Sequence, residues 1–187
     1  MELVKYLNKY IIIGVISNYK NSLKEDLLVK DLLNSKNNKD LLKFLNLSDN
    51  LLEKKINELS LSEKTKIDLL SKINNDIIII GGFSNNLIYK DKELICKFLI
   101  KLNQRFNKKI IIIDSDISAL MNICKYFIVL KDNKVLYKTN DVYDNKLYYY
   151  INKPEIVTFV QNARKKGILL DNYTDIYELL KAIYRSI

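Results

Sequence analysis

The apolar positions of the chain fall into two kinds of pattern. Short runs rich in isoleucine and without alternation, Tyr10–Ile16, Ile77–Ile80, Lys109–Asp114 and Tyr126–Leu130, read as strands buried on both faces. Between them, leucines and isoleucines recur at spacings of three and four, the mark of amphipathic helix. From Leu23 to about Asn57 this predicts a series of short helices with breaks at Asn34–Asn38 and Asn46–Asn50. Further helices are predicted over Ser62–Ile73, Asp91–Phe106 and Ile117–Cys124. Ser60 or Ser62 is placed to cap the first of these, because a serine oxygen accepts from an otherwise unpartnered helical N–H. Asp132-Asn133 predicts a hairpin from Tyr126–Leu130 into Lys134–Tyr137. Strand and helix alternating in this way imply βαβ units and a parallel sheet with flanking helices, an α/β fold.

After Tyr137 the pattern changes. Thr139–Tyr150 is a tyrosine-rich connection, and Pro154 suits the first position of a helix, where a missing N–H costs little. Ile156, Phe159, Val160 and Ala163 make its apolar stripe, and Gly167 suits its C-terminal stop. Thr174 is expected to cap a last helix through Ile187, with Ile176, Leu179, Leu180 and Ile183 inward. The division expected is an α/β domain over 1–138 and a small helical extension over 139–187.

The segment Asn75–Leu87 is the place to look for chemistry. Its buried strand ends in Gly81-Gly82, and in an open parallel sheet ligands bind at the carboxyl ends of strands. The next four residues are Phe83-Ser84-Asn85-Asn86, without carboxylate, histidine or lysine. The other polar group at such a position is Asp114-Ser115-Asp116. A D-x-D after a buried strand can hold magnesium, as in toprim domains, but those also need a glutamate on an earlier strand. Asp116 is read instead as the cap of the helix at Ile117. Tyr148-Tyr149-Tyr150 is read as packing the tail onto its domain, and Lys108-Lys109 and Arg164-Lys165-Lys166 as solvated ends of elements.

Composition narrows the classes. The chain has 187 residues, 48% of them apolar, enough for one core with an appendage. Its net charge of +9 comes from lysines scattered along the chain, which reads as a solvated surface rather than a nucleic-acid face. The absence of histidine excludes histidine bases, Ser-His pairs and histidine-ligated metals. Cys96 and Cys124 have no metal or redox spacing and suit a reduced interior. No signal peptide opens the chain, and no apolar run approaches the ~20 residues of a spanning helix. The expected location is cytoplasmic, with attachment to the inner face of the cell membrane only through partners.

Four stretches in order resemble the ATP-binding subunit of an ABC transporter. Ile13-Gly14-Val15-Ile16-Ser17-Asn18 is similar to the strand entering the family's Q-loop, with Asn18 at the glutamine. Leu59-Ser60-Leu61-Ser62-Glu63-Lys64 resembles the LSGGQ signature. Ile77–Leu87 resembles the Walker B strand and D-loop, with Gly81 and Gly82 where the magnesium aspartate and catalytic glutamate belong. Ile110–Asp116 resembles the switch-histidine strand, with Ser115 at the histidine, and Tyr126–Tyr137 the hairpin after it. Pro154–Ile183 resembles the C-terminal extension of energy-coupling factor (ECF) ATPases. The family's cofactors are ATP and magnesium. Gly14, Gly81, Gly82 and Gly167 are read as showing no G-x-x-x-x-G-K-[ST] spacing to hold phosphates. The missing carboxylates remove the metal ligand and the base that positions water.

The resemblance therefore implies a degenerate ECF-type subunit that lacks the P-loop region and binds no cofactor. Its partners would be another ABC ATPase subunit and a transmembrane coupling protein, with hydrolysis left to the former. A basic toprim-like nucleic-acid protein, or the C-terminal half of a split ATPase, are the other readings open at this point. In the family sheet the P-loop strand lies between the switch-histidine strand and the hairpin strand. A chain lacking it would pair Lys109–Asp114 directly with Tyr126–Leu130 or leave a gap there.

Overall fold

The computed structural model describes residues 12–17, 23–33, 38–82 and 87–186. The strands are β1 (Ile12–Ile16), β2 (Ile77–Gly81), β3 (Lys109–Asp114), β4 (Tyr126–Lys131) and β5 (Lys134–Thr139). They form one sheet in the order β2-β3-β1-β4-β5, parallel except for the β4–β5 hairpin. Asp132 and Asn133 make that hairpin turn with φ of 48° and 59°, the left-handed region that Asn and Asp tolerate.

The centre of this sheet corrects the expectation of a missing strand. β1 lies between β3 and β4, pairing Gly14 with Ile112 on one side and with Phe127 on the other. The direct β3–β4 pairing does not occur. The isoleucine-rich segment near the N-terminus fits any buried parallel strand, and the partners on its two edges decide which one it is. All five of its residues are buried.

Side-chain period divides the sheet into two faces. Ile12, Ile78, Ile80, Ile110, Ile112, Phe127 and Val129 belong to the large core. Ile13, Val15, Ile111 and Ile128 form a smaller cluster on the other face. β2 departs from the two-sided burial expected of it. It stands at the edge of the sheet, and Ile77 and Ile79 are 38% and 41% exposed.

The helices are α1 (Val29–Leu33), α2 (Asn38–Phe44), α3 (Leu61–Ser71), α4 (Tyr89–Phe106), α5 (Glu155–Lys165) and α6 (Ile176–Ser186). Short 3-10 turns stand at Asp49–Glu53, Ile56–Glu58, Ile117–Ala119 and Asn145–Tyr149. The helix expected over Ile117–Cys124 is only the third of these turns, in a short crossover that carries the chain past β1 from β3 to the parallel β4. Ser60 caps α3, accepting from the Glu63 N–H at 3.2 Å while Glu63 accepts from the Ser60 N–H at 2.8 Å. α4 ends at Asn107, left-handed at φ 53°.

Beyond β5 the chain packs into the same core through Val142, Leu147, Val157, Val160 and Leu179. Pro154 is the N-cap of α5, and Gly167, at φ 82°, follows its C-cap Lys166. Phe159 is 50% exposed, so the stripe of α5 runs through Val157, Val160 and Ala163 instead. Asp175, not Thr174, caps α6, accepting from the N–H groups of Tyr177 at 2.8 Å and Glu178 at 3.2 Å. Aspartate is the better cap because its charge also meets the positive end of the helix dipole.

Candidate functional site

The carboxyl ends of β1, β3 and β4 open onto a cleft of about 590 Å³. This is the position at which an open α/β sheet binds its ligand. Ser17 follows β1 and donates its backbone N–H to the Asp114 carbonyl at 2.8 Å. Ser115 and Asp116 line the cleft from β3, and Lys131 and Asp132 from the β4–β5 turn.

The aspartates here are engaged with backbone. Asp114 is buried, and its carboxylate accepts from the Asp116 N–H at 2.9 Å. Asp116 accepts from the Ser118 N–H at 2.9 Å, the capping role expected of it. Among the described lining residues two carboxylates, Asp116 and Asp132, face one ammonium, Lys131. Among the described lining residues Lys131 is the one lysine. Among the described residues no group of three or more metal-ligating side chains stands together.

Gly81 ends β2 beside Ile113, and Gly82 donates its N–H to the Ile113 carbonyl at 3.2 Å. The Walker-B-like and switch-like segments thus lie side by side. Gly82 sits at φ 77°, where a side chain is strained. A glutamate at this position would be strained in the left-handed backbone.

The signature-like residues are not part of this cleft. Ser60 and Glu63 satisfy each other at the start of α3. Ser62 donates to Asp91 on α4 at 2.5 Å, and Lys66 donates to the same carboxylate at 2.7 Å. Burial opposes ionisation of Asp91, but the hydrogen bonds from Lys66 and Ser62, with the charge of Lys66, outweigh it and hold the carboxyl below its ordinary range. These contacts clamp α3 to α4.

Asn18, assigned to the Q-loop by resemblance, lies outside the described residues, but the strand before it is placed. β1 lies between β3 and β4, the place that the resemblance gives to a P-loop strand and not to the strand entering a Q-loop. The sequence carries a spacing that suits such a strand: Gly14 is followed after five residues by Lys20. In a G-x-x-x-x-G-K-[ST] register Gly14 and Lys20 match, Tyr19 replaces the second glycine and Asn21 the hydroxyl residue. Tyr19 hides the pattern from a search on glycines. Gly14 itself serves packing, since a Cβ there would lie 3.2 Å from Cys124 and from the Phe127 ring.

Tyr137 donates to Asp144 at 2.5 Å, and that bond, with burial, pushes its phenol up to about 12. Burial pushes the Cys96 thiol up to about 11 and the Cys124 thiol higher still; both cysteines are free.

The chain has the fold of the ABC transporter ATPase cassettes. It superposes on the ATP-binding cassette MJ0796, solved as a dimer in a post-hydrolysis state with ADP and Pi, with a TM-score of 0.54 and 22% identity, over 74% of this chain and 66% of that one. It matches cbiO1 from Clostridium perfringens, part of the ABC transporter complex cbiONQ, with a TM-score of 0.51 and 18% identity, over 80% and 67% of the two chains. An ATP-binding subunit of another ABC transporter gives 0.54 and 16% over 79% and 67%. The chain thus spans about two thirds of the length of these cassettes. No family model and no curated protein matches its sequence.

Proposed function

We propose that this protein is a degenerate ECF-type ABC ATPase subunit that does not hydrolyse ATP and serves as the structural half of a transporter's ATPase pair. The observation that carries this reading is the cleft at the carboxyl ends of the parallel strands. Its described carboxylates are tied to backbone or opposed by one lysine, and the strand beside it ends in Gly81-Gly82. Lys20 is the one charged group of a phosphate loop that the sequence retains, and a lone lysine without the loop's amides and a metal is a weak hold on phosphate. Binding of Mg-ATP to the purified chain is expected to be weaker than about 1 mM by calorimetry, with no turnover above background. Gly82→Glu should not create activity and should lower stability. Micromolar Mg-ATP binding or turnover by the unmodified chain alone would defeat the reading.

The partners that fit are an active ATPase subunit, as in the cassette dimers, and a transmembrane coupling protein, as the cbiONQ complex suggests. Among the described residues no helix is long and apolar enough to cross a membrane, so attachment would be through the coupling protein. α6 supports a paired role. Leu179 is buried, but Ile176 and Leu180, expected inward, are 52% and 42% exposed. Tyr177 and Tyr184 are exposed on the same helix, and Tyr177 meets the exposed Tyr89 of α4 edge-on at 6.2 Å. A contiguous tyrosine-rich apolar surface of this kind has the composition of an interface. The double change Tyr177→Asp and Leu180→Asp should weaken association with an active cassette by more than about tenfold in sedimentation, with the chain's own melting unchanged.

A further inference from the structure

The turn between α5 and α6 holds two apolar side chains outward and is braced to keep them there. Gly167, at φ 82°, donates its N–H to the Arg164 carbonyl at 3.0 Å, and Ile168 donates to the Ala163 carbonyl at 3.1 Å. This pair of bonds stops α5 and turns the chain sharply off its axis. Arg164 then folds back over the turn. Its guanidinium donates to the Leu170 carbonyl and to the Asn172 side-chain oxygen, both at 2.8 Å, and lies 5.4 Å from the centre of the Tyr143 ring. The backbone is thus fixed on both sides of Leu169. Leu169 is 96% exposed, the barest large apolar side chain among the described residues, and Ile168 is 52% exposed. A turn with no apolar contact to make is ordinarily polar.

The tip carries a positive collar. Residues 164–171 read Arg-Lys-Lys-Gly-Ile-Leu-Leu-Asp, three cations against one carboxylate, Asp171. Arg164, Lys165 and Lys166 are exposed, and none of them pairs with a carboxylate among the described residues. Arg164 spends its donors on neutral oxygens, so its charge is kept. The acids that follow on α6 are engaged: Asp175 caps the helix and Glu178 pairs with Lys181 at 2.7 Å. Shape and charge together select the occupant. Two aliphatic side chains are a small part of the about 800 Å² per partner that a stable protein interface buries. A bilayer closes around a protruding side chain without a matching surface, and its anionic headgroups attract lysines placed beside the point of entry.

We propose that the α5–α6 turn touches an anionic lipid surface directly, with Leu169 and Ile168 entering the boundary between headgroups and acyl chains and Lys165 and Lys166 meeting the headgroups. The lysines can reach the headgroup oxygens while their stems lie against the apolar layer. With two apolar side chains and a short basic run, the contact is weak and reversible, an auxiliary hold and not an anchor. It makes no use of the strand-end cleft or of the α6 surface, so its failure leaves the pseudo-ATPase reading standing, and the reverse.

The chain has no tryptophan, so Leu169→Trp places a single emitter at the tip of the full-length protein. With mixed phosphatidylglycerol and phosphatidylcholine vesicles at about 0.15 M salt, its emission should shift to the blue and be quenched by lipids brominated on the acyl chain. Vesicles of phosphatidylcholine alone should do neither. In co-sedimentation with the mixed vesicles, Leu169→Ser should weaken the partition of the chain by more than about tenfold, as should the double change Lys165→Glu and Lys166→Glu. All three positions are exposed, so the variants should fold, and their melting curves check this. Leu169→Ser keeps every charge, so undiminished sedimentation would show that the +9 chain is held by diffuse attraction alone, and would overturn the proposal. Unshifted tryptophan emission with the anionic vesicles would overturn it too. So would emission already blue-shifted without lipid that moves to the red on dilution, which would mark the tip as covered by a second copy.

Discussion

Phe127→Ala is expected to lower the unfolding free energy of the chain by about 3–5 kcal/mol, the cost of removing a fully buried aromatic ring and leaving a cavity. Phe127 is 2% exposed, on β4, opposite Gly14 of the central strand. The ring is there because position 14 has no side chain. A Cβ on Gly14 would approach Phe127 Cδ1 and the Cys124 side chain at 3.2 Å, tighter than atoms in a packed core normally come. Gly14→Val should therefore destabilise by about 1–3 kcal/mol through overpacking. The two changes share one space, so they should not add. In the double variant the valine occupies part of the volume left by the ring, and the sum of the single losses should exceed the combined loss by more than about 0.5 kcal/mol. Denaturant unfolding of the four proteins measures this. Strict additivity would show that Gly14 is not kept free of a side chain for the sake of the ring.

The second large effect is expected at the clamp between α3 and α4. Lys66 and Asp91 pair at 2.7 Å with side chains only 6% and 16% exposed. Asp91→Ala leaves the Lys66 ammonium buried without its carboxylate and should cost about 3 kcal/mol, the low end for breaking a buried pair because Asp91 keeps some contact with solvent. Asp91→Asn, which retains a hydrogen-bond acceptor for Ser62, should cost less. The pH dependence has a definite sign. The folded carboxyl titrates below its ordinary 3.8. Its contribution is therefore complete above that value and is lost as pH falls through the lower, folded one. The native chain should lose stability in that acid window more steeply than Asp91→Asn does. Parallel slopes for the two proteins would show that the pair is not linked to folding in the way described.

Much of this arrangement can be read directly from residue order. The isoleucine runs place the strands, because only a buried strand makes use of uninterrupted β-branched side chains. The leucine spacings place α3 and α4, Asp132-Asn133 places the hairpin turn, and Ser60 with Glu63 places the start of α3. All of these depend on neighbours within a few residues, so local chemistry is sufficient. The fold that the altered segments resemble, that of the ABC ATPase cassettes, is the one the structure shows, although the first of them, Ile13–Ile16, lies in the central strand and not beside a Q-loop.

Whatever depends on partners distant in the chain was decided only in three dimensions. Ile12–Ile16 fits an outer or a central strand equally well by composition; pairing with Ile110–Asp114 on one edge and Tyr126–Val129 on the other makes it central. Ile77–Ile80 looks doubly buried, but burial on the second face requires something to cover it, and β2 stands at the edge with Ile77 and Ile79 bare. Ile176 and Leu180 share a helical stripe with Leu179, yet only Leu179 meets the core, because the docking angle of α6 selects which part of the stripe is covered. Ser62 has a cap's chemistry, and its bond to Asp91 exists because α4 comes alongside α3. Hydrophobic period specifies which side of an element is apolar. Which apolar side faces a neighbour, and which is left for a partner, is a property of the packed whole.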